Sequence, residues 1–98
     1  MRRLLLFAVL GFSWPAIAQA PDPAKGFVPD ASTAIRIAEA VWLPIYGKGI
    51  YDKRPFVATL KGDVWLVTGS LPKEALGGVP EARIAKRDGR VLEIKHGQ

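Results

Sequence analysis

FVATLKGDVWLVTG, residues 56–69, decides the fold. Phe56, Ala58 and Leu60 alternate with Val57 and Thr59, then Trp65, Val67 and Gly69 alternate with Val64, Leu66 and Thr68. Period-two alternation on both sides of Gly62-Asp63 is the pattern of two strands joined by a tight turn. A two-residue turn sets Leu60 opposite Trp65 and Ala58 opposite Val67. Phe56, Ala58, Leu60, Trp65 and Val67 then share one face. A three-residue turn would move Trp65 to the other face, because the side-chain period of a strand is two.

A second hairpin lies downstream, RIAKRDGRVLEI, residues 83–94. Lys86-Arg87-Asp88-Gly89 suits a type I turn with Gly89 in the left-handed region. A three-residue loop pairs Ala85 with Val91, Ile84 with Leu92, Arg83 with Glu93 and Ala82 with Ile94. That register points Ala82, Ile84, Leu92 and Ile94 at the core and makes Arg83 and Glu93 an outer ion pair. Pro80 stands where this strand begins, a position that shortens the strand or places proline at its edge.

Upstream, Asp30 is an N-cap for a helix from Ala31. Ala34, Ile37, Ala38, Val41 and Ile45 recur at spacings of three and four and form an apolar face, widened by Ile35 and Trp42. Pro44 is expected to kink or end the helix, and Gly47 to stop it. GKGIYDKRP (47–55) reads as a connector and LPKEALGGVP (71–80) as a loop. The order is therefore one helix and four antiparallel strands. A helix laid on a curved sheet buries both apolar faces, an α+β arrangement.

The N-terminus carries a different pattern. Arg2 and Arg3 precede the apolar run Leu4–Trp14, followed by Pro15 and small residues at Ala16, Ala18 and Ala20. This is a secretory signal peptide, residues 1–18, with 20 as the alternative end. The run is shorter than the roughly 20 residues that span a hydrocarbon core, so no stable membrane insertion is expected after cleavage. Residues 19–29, QAPDPAKGFVP, read as an extended arm, and residues 30–98 as the domain. The protein is then periplasmic or secreted.

Composition removes several functions. The 98 residues contain no cysteine and one histidine, His96. Thiol chemistry, disulfides and Cys- or His-rich metal sites are excluded, and no cofactor is implied. The carboxylates Asp52, Asp63, Glu74 and Glu81 have no spacing that marks an acid–base pair, and Gly47-Lys48-Gly49 lacks the strand and the full pattern of a phosphate loop. Without Arg2 and Arg3, twelve Lys and Arg face nine Asp and Glu, a balance of +3. That is too mild for a nucleic-acid binder. No catalytic residue is assigned, and the expected function is binding.

Several stretches are distinctive when taken together: ASTAIRIAEAVWLPIYG (31–47), RPFVATLKGDVWLVTGSLP (54–72), Gly77-Gly78 and RIAKRDGRVLEIKHG (83–97). They resemble the NTF2 fold immunity proteins of bacterial polymorphic toxin systems. The resemblance implies a small NTF2-like or cystatin-like domain whose protein partner is a cognate toxin; the signal peptide adds the expectation that this toxin acts in the cell envelope. The alternative is a periplasmic small-ligand-binding domain, or an adaptor or inhibitor of the same shape. Tyr and Arg are enriched at binding hot spots, and functional residues concentrate in loops on a rigid scaffold. The candidate partner-binding residues are accordingly Tyr51, Lys53 and Arg54 in the connector and Lys73 and Glu74 in the Gly-Gly loop.

Overall fold

A computed structural model describes residues 24–71 and 77–97. The expected signal peptide (1–18) and its expected cleavage point, together with Lys73 and Glu74, lie outside these residues. Helix α1 (Ala31–Tyr46) and a short 3-10 turn (Lys48–Lys53) precede β1 (Val57–Lys61), β2 (Val64–Thr68), β3 (Pro80–Ala85) and β4 (Val91–His96). The strands form an antiparallel sheet in the order β1-β2-β3-β4. The helix packs on one face of it, the α+β arrangement expected from the sequence.

Asp30 caps α1 as the sequence predicts. Its carboxylate accepts from the Thr33 amide at 2.9 Å, the Thr33 hydroxyl at 2.7 Å and the Ser32 hydroxyl at 3.1 Å. Three donors favour the charged form, the Thr33 hydroxyl most, and hold the Asp30 pKa below its ordinary 3.8. The buried line of the helix is Ala34, Ala38 and Trp42. Two alanines bring the helix backbone close to the sheet, and Trp42 fills the wider space beyond.

The expected apolar face is corrected at its end, where Ile45 is 55% exposed. A four-residue ridge drifts about 40° around a helix at each step. By the last turn the contact line has moved to Tyr46, which packs against the core, and Ile45 has rotated away. Pro44 does not end the helix at its own position, since α1 continues to Tyr46. Ala40 and Pro44 are both exposed. The Ala40 carbonyl that loses its helical donor is therefore left facing water, and its cost is small. Gly47, at φ +81°, closes the helix by donating to the Leu43 carbonyl at 2.8 Å.

The first hairpin has the expected register, Leu60 opposite Trp65 and Ala58 opposite Val67, around Gly62-Asp63. Trp65 and Val67 are buried. Leu60 shares their face but is 42% exposed. β1 is the edge strand, and cover from the described residues stops short of its turn end.

The second hairpin differs from the expectation. Arg83 pairs with Glu93 and Ala82 with Ile94, but Ile84 pairs with Val91, with a bulge between. The turn explains it. Ala85 donates to the Arg90 carbonyl at 2.8 Å, and Gly89 donates to the Ala85 carbonyl at 2.9 Å. Lys86–Gly89 thus forms a four-residue loop, one residue shorter on the β4 side than the register further along requires. The surplus residue is Leu92. Instead of facing the core it is 46% exposed. Pro80 is the first residue of the central strand β3, a place where its missing N–H breaks no ladder within the strand.

Trp42 and Trp65 are buried, and each indole N–H has a backbone acceptor. Trp42 donates to the Glu81 carbonyl at 3.2 Å and meets Phe56 edge-on, with ring centroids 5.2 Å apart. Trp65 donates to the Val28 carbonyl at 2.8 Å. Val28, on the arm, is itself 1% exposed. Phe27 and Val28 donate to the carbonyls of Arg87 and Lys86, each at 3.0 Å. Residues 26–28 therefore pack as part of the domain, tied to the loop of the second hairpin.

Candidate functional site

The connector follows from the end of α1. The 3-10 turn buries Ile50 and leaves Tyr51 half-buried against the core. Arg54 folds back over Tyr51, its guanidinium carbon 5.0 Å from the ring centroid and its Nε donating to the Tyr51 carbonyl at 2.9 Å. Lys53 is half-buried, and its carbonyl accepts from the Ser70 amide at 2.7 Å. This contact explains Gly69: a Cβ there would lie 2.9 Å from Pro80 Cδ and 3.0 Å from Lys53 Cβ. The Ser70 hydroxyl donates to the Pro55 carbonyl at 2.6 Å.

Tyr51, Lys53 and Arg54 are thus brought together on one small surface. That surface is fastened to Gly69–Ser70, just before the loop that carries Lys73 and Glu74 in the sequence. The Tyr51 ring supports Arg54, and Arg54 is the exposed member.

Residues with chemistry elsewhere do not converge. Asp52 and Asp63 flank opposite ends of β1, and Glu81 lies 3.9 Å from Lys95 in an outer ion pair. His96 ends β4 with its ring 5.2 Å from Tyr46. Among the described residues, no group of three or more His, Asp or Glu is placed to hold a metal ion. Nor is any helix among them long and apolar enough to cross a membrane.

Two concave places among the described residues lie at the other end of the sheet, where the two hairpin turns meet. Lys86 donates from its amide to the Asp63 carbonyl at 2.8 Å, joining the turns. On one side is an open hollow of about 170 Å³ bounded by Gly26, Asp63, Lys86 and Arg87. On the other, about 230 Å³ lies between Val64, Ala85, Leu92, Arg87 and Arg90, with Asp63 and Asp88 at the margin. Both are smaller than the roughly 300–1,000 Å³ of typical small-molecule pockets. The basic residues of this tip are visible in the sequence. The hollow beside them is not, because it depends on the bulge.

Residues 33–98 match the model of the NTF2 fold immunity proteins. The chain belongs to that family. It is also 36% identical over 74 residues to the uncharacterized protein YbbC of Escherichia coli K12, an alignment covering 74% of this chain and 61% of the relative. The chain thus spans about three fifths of the length of that relative. No solved structure matches it.

The match runs from the first turn of α1 through β4 and includes the connector and both turns. It starts after Val28 and Asp30, so the acceptor for Trp65 and the cap of α1 come from outside the matched segment.

Proposed function

We propose that this chain is exported and neutralises a cognate toxin by binding it, with no catalytic step of its own. Family membership over residues 33–98 carries the reading. Export rests on the Arg2–Ala20 pattern, and an exported chain would meet its toxin in the cell envelope. The +3 balance of the exported chain bears on the toxin's activity. Nucleases carry basic clefts for phosphate, and their inhibitors are complementary in charge. A mildly basic inhibitor suits an enzyme that attacks the cell wall or membrane better than a nuclease. The connector supplies the partner surface, with Arg54 presented on the Tyr51 ring beside Lys53, and with Lys73 and Glu74 from the adjoining loop.

The test is a growth challenge with the toxin encoded beside this chain, directed to the periplasm. The full chain should restore growth and be recovered from the periplasm beginning at Gln19 or Pro21. Purified with the toxin, the Tyr51→Ala, Arg54→Ala double variant should bind at least about tenfold more weakly, roughly 1.4 kcal/mol, while circular dichroism stays native. No rescue, or an intact Met1 form in the cytoplasm, overturns the reading. Unchanged affinity in the folded double variant moves the interface off the connector.

A further inference from the structure

The hollow of about 230 Å³ on the outer face of the sheet has no task in the fold. Its floor is Val64 and Ala85, which point away from the helix because Trp65 and Ile84 beside them point toward it. Leu92 forms one wall. In an unbroken register it would have faced inward; as the surplus residue of the bulge it turns outward instead. Bulges commonly re-aim a side chain in this way, and they are enriched beside functional sites. A single exposed leucine is unremarkable. A leucine set by a bulge over two further apolar side chains makes a recess.

Arg87 and Arg90 border that recess, and both are exposed. Among the described residues neither guanidinium has a hydrogen-bond or ion-pair partner, whereas Arg83 is held by Glu93 at 2.9 Å and Arg54 by Tyr51. Of the two nearby carboxylates, Asp88 accepts from the Arg90 amide at 3.0 Å and is occupied locally. Across the whole turn end, Lys25, Lys61, Lys86, Arg87 and Arg90 outnumber Asp63 and Asp88, so the field there is positive.

We infer that this recess docks a segment of a partner protein in which an apolar side chain is flanked by carboxylates. The apolar group sits on Val64, Ala85 and Leu92, and the carboxylates meet Arg87 and Arg90, whose planar forks suit bidentate pairing. The recess lies at the end of the sheet opposite the connector and forms a second contact surface. The inference rests on the reading that the chain acts by binding a protein. A concave site with an apolar floor fits an inserted side chain; a membrane surface would be met by protruding groups.

The probes are two capped hexapeptides, one alternating leucine with glutamate and one alternating leucine with lysine. Vesicles of phosphatidylglycerol and phosphatidylethanolamine serve as a third. Each is titrated into isotope-labelled protein recovered from expression of the full chain and followed by amide resonances. The glutamate peptide should shift Val64, Ala85 and Leu92, and bind at least about tenfold more tightly than the lysine peptide. Arg87→Glu with Arg90→Glu, and separately Leu92→Ser, should each remove most of that binding while the remaining spectrum stays native. Tyr51→Ala with Arg54→Ala should leave it unchanged.

Equal binding of the two peptides, shifts confined to the connector, or no binding overturns the site. Vesicle binding that the arginine variants abolish, without peptide binding, makes it a lipid surface and overturns it equally. A failed growth challenge with peptide binding intact would remove the toxin reading and leave this site standing.

Discussion

The two hairpins share one antiparallel sheet, yet they are built differently. The first closes over Gly62-Asp63 and keeps its pairs in step from Lys61↔Val64 to Val57↔Thr68. The second closes over a longer loop and changes register within its strands, pushing Leu92 out of the core. The first is specified locally. A two-residue turn and one deeply buried residue, Trp65, leave no other register that keeps the tryptophan inside. The second is shaped from outside. Its loop lies under the arm, with Phe27 and Val28 bonded to Arg87 and Lys86, and with Gly89 close to Val28. Turn chemistry governs a hairpin that stands alone; a third segment bonded to the loop can override it.

The largest test of this contrast is Trp65, where the two regions join. Trp65→Ala should cost about 3–5 kcal/mol, a large part of the stability of a domain this size. It should lower the urea midpoint and release the arm, whose Val28 carbonyl loses its donor. A midpoint close to wild type would place Trp65 outside the core and break the assigned register.

Gly26 comes next. It has φ +79°, and a Cβ there would stand 2.6 Å from the Lys86 carbonyl oxygen, a backbone atom that cannot swing aside. Gly26→Ala should cost about 1–3 kcal/mol and speed hydrogen exchange at the Phe27 and Val28 amides, while the first hairpin stays protected. Unaltered exchange at those amides would show that the arm does not hold the second loop.

Leu92→Ala should have a small effect, within about 0.5 kcal/mol, because the side chain lies outside the core and is 46% exposed. Its intended neighbour in the alternative register, Ile84, is fully buried, and Ile84→Ala should cost about 2–5 kcal/mol. Comparable losses at the two positions would mean that Leu92 is inside and the bulge absent.

The last test is at Asp30, where the arm enters the helix. The folded chain binds the Asp30 proton less readily than the unfolded chain does. The cap's contribution is therefore complete above the unfolded-state pKa, near 4, and fades as pH falls through the lower folded value. Urea midpoints of wild type and Asp30→Ala should differ at neutral pH and converge as the solution is acidified below that range. A constant gap would show that the carboxylate's charge is not what caps α1.

Much of this was legible in the chain. Asp30, the Gly47 stop, the turn at Gly62-Asp63 and the Arg83–Glu93 pair are each set by neighbours within about ten residues. The clustering of Tyr51, Lys53 and Arg54 was legible too, since they lie in one connector. Their contact with the rest of the fold was not: the Lys53 carbonyl is taken by Ser70, beyond the whole first hairpin. Leu60, Ile45 and Leu92 read as core by periodicity. Periodicity reports which face a residue takes and not how far the cover extends, so it failed at a sheet edge, a helix end and a bulge.

The sequence by itself determined the α+β class, the helix start, the first register and the family, because these depend on local propensity, alternation and matched segments. The tertiary structure alone decided that Val28 belongs to the core, that Leu92 turns outward, and that two turns and an arm meet to form the recess. Those outcomes rest on hydrogen bonds between segments about 25 to 60 residues apart, Val28 to Lys86 and Asp63 to Lys86 among them. No window along the chain contains both partners of such a bond, so its consequences appear only once the chain has closed on itself.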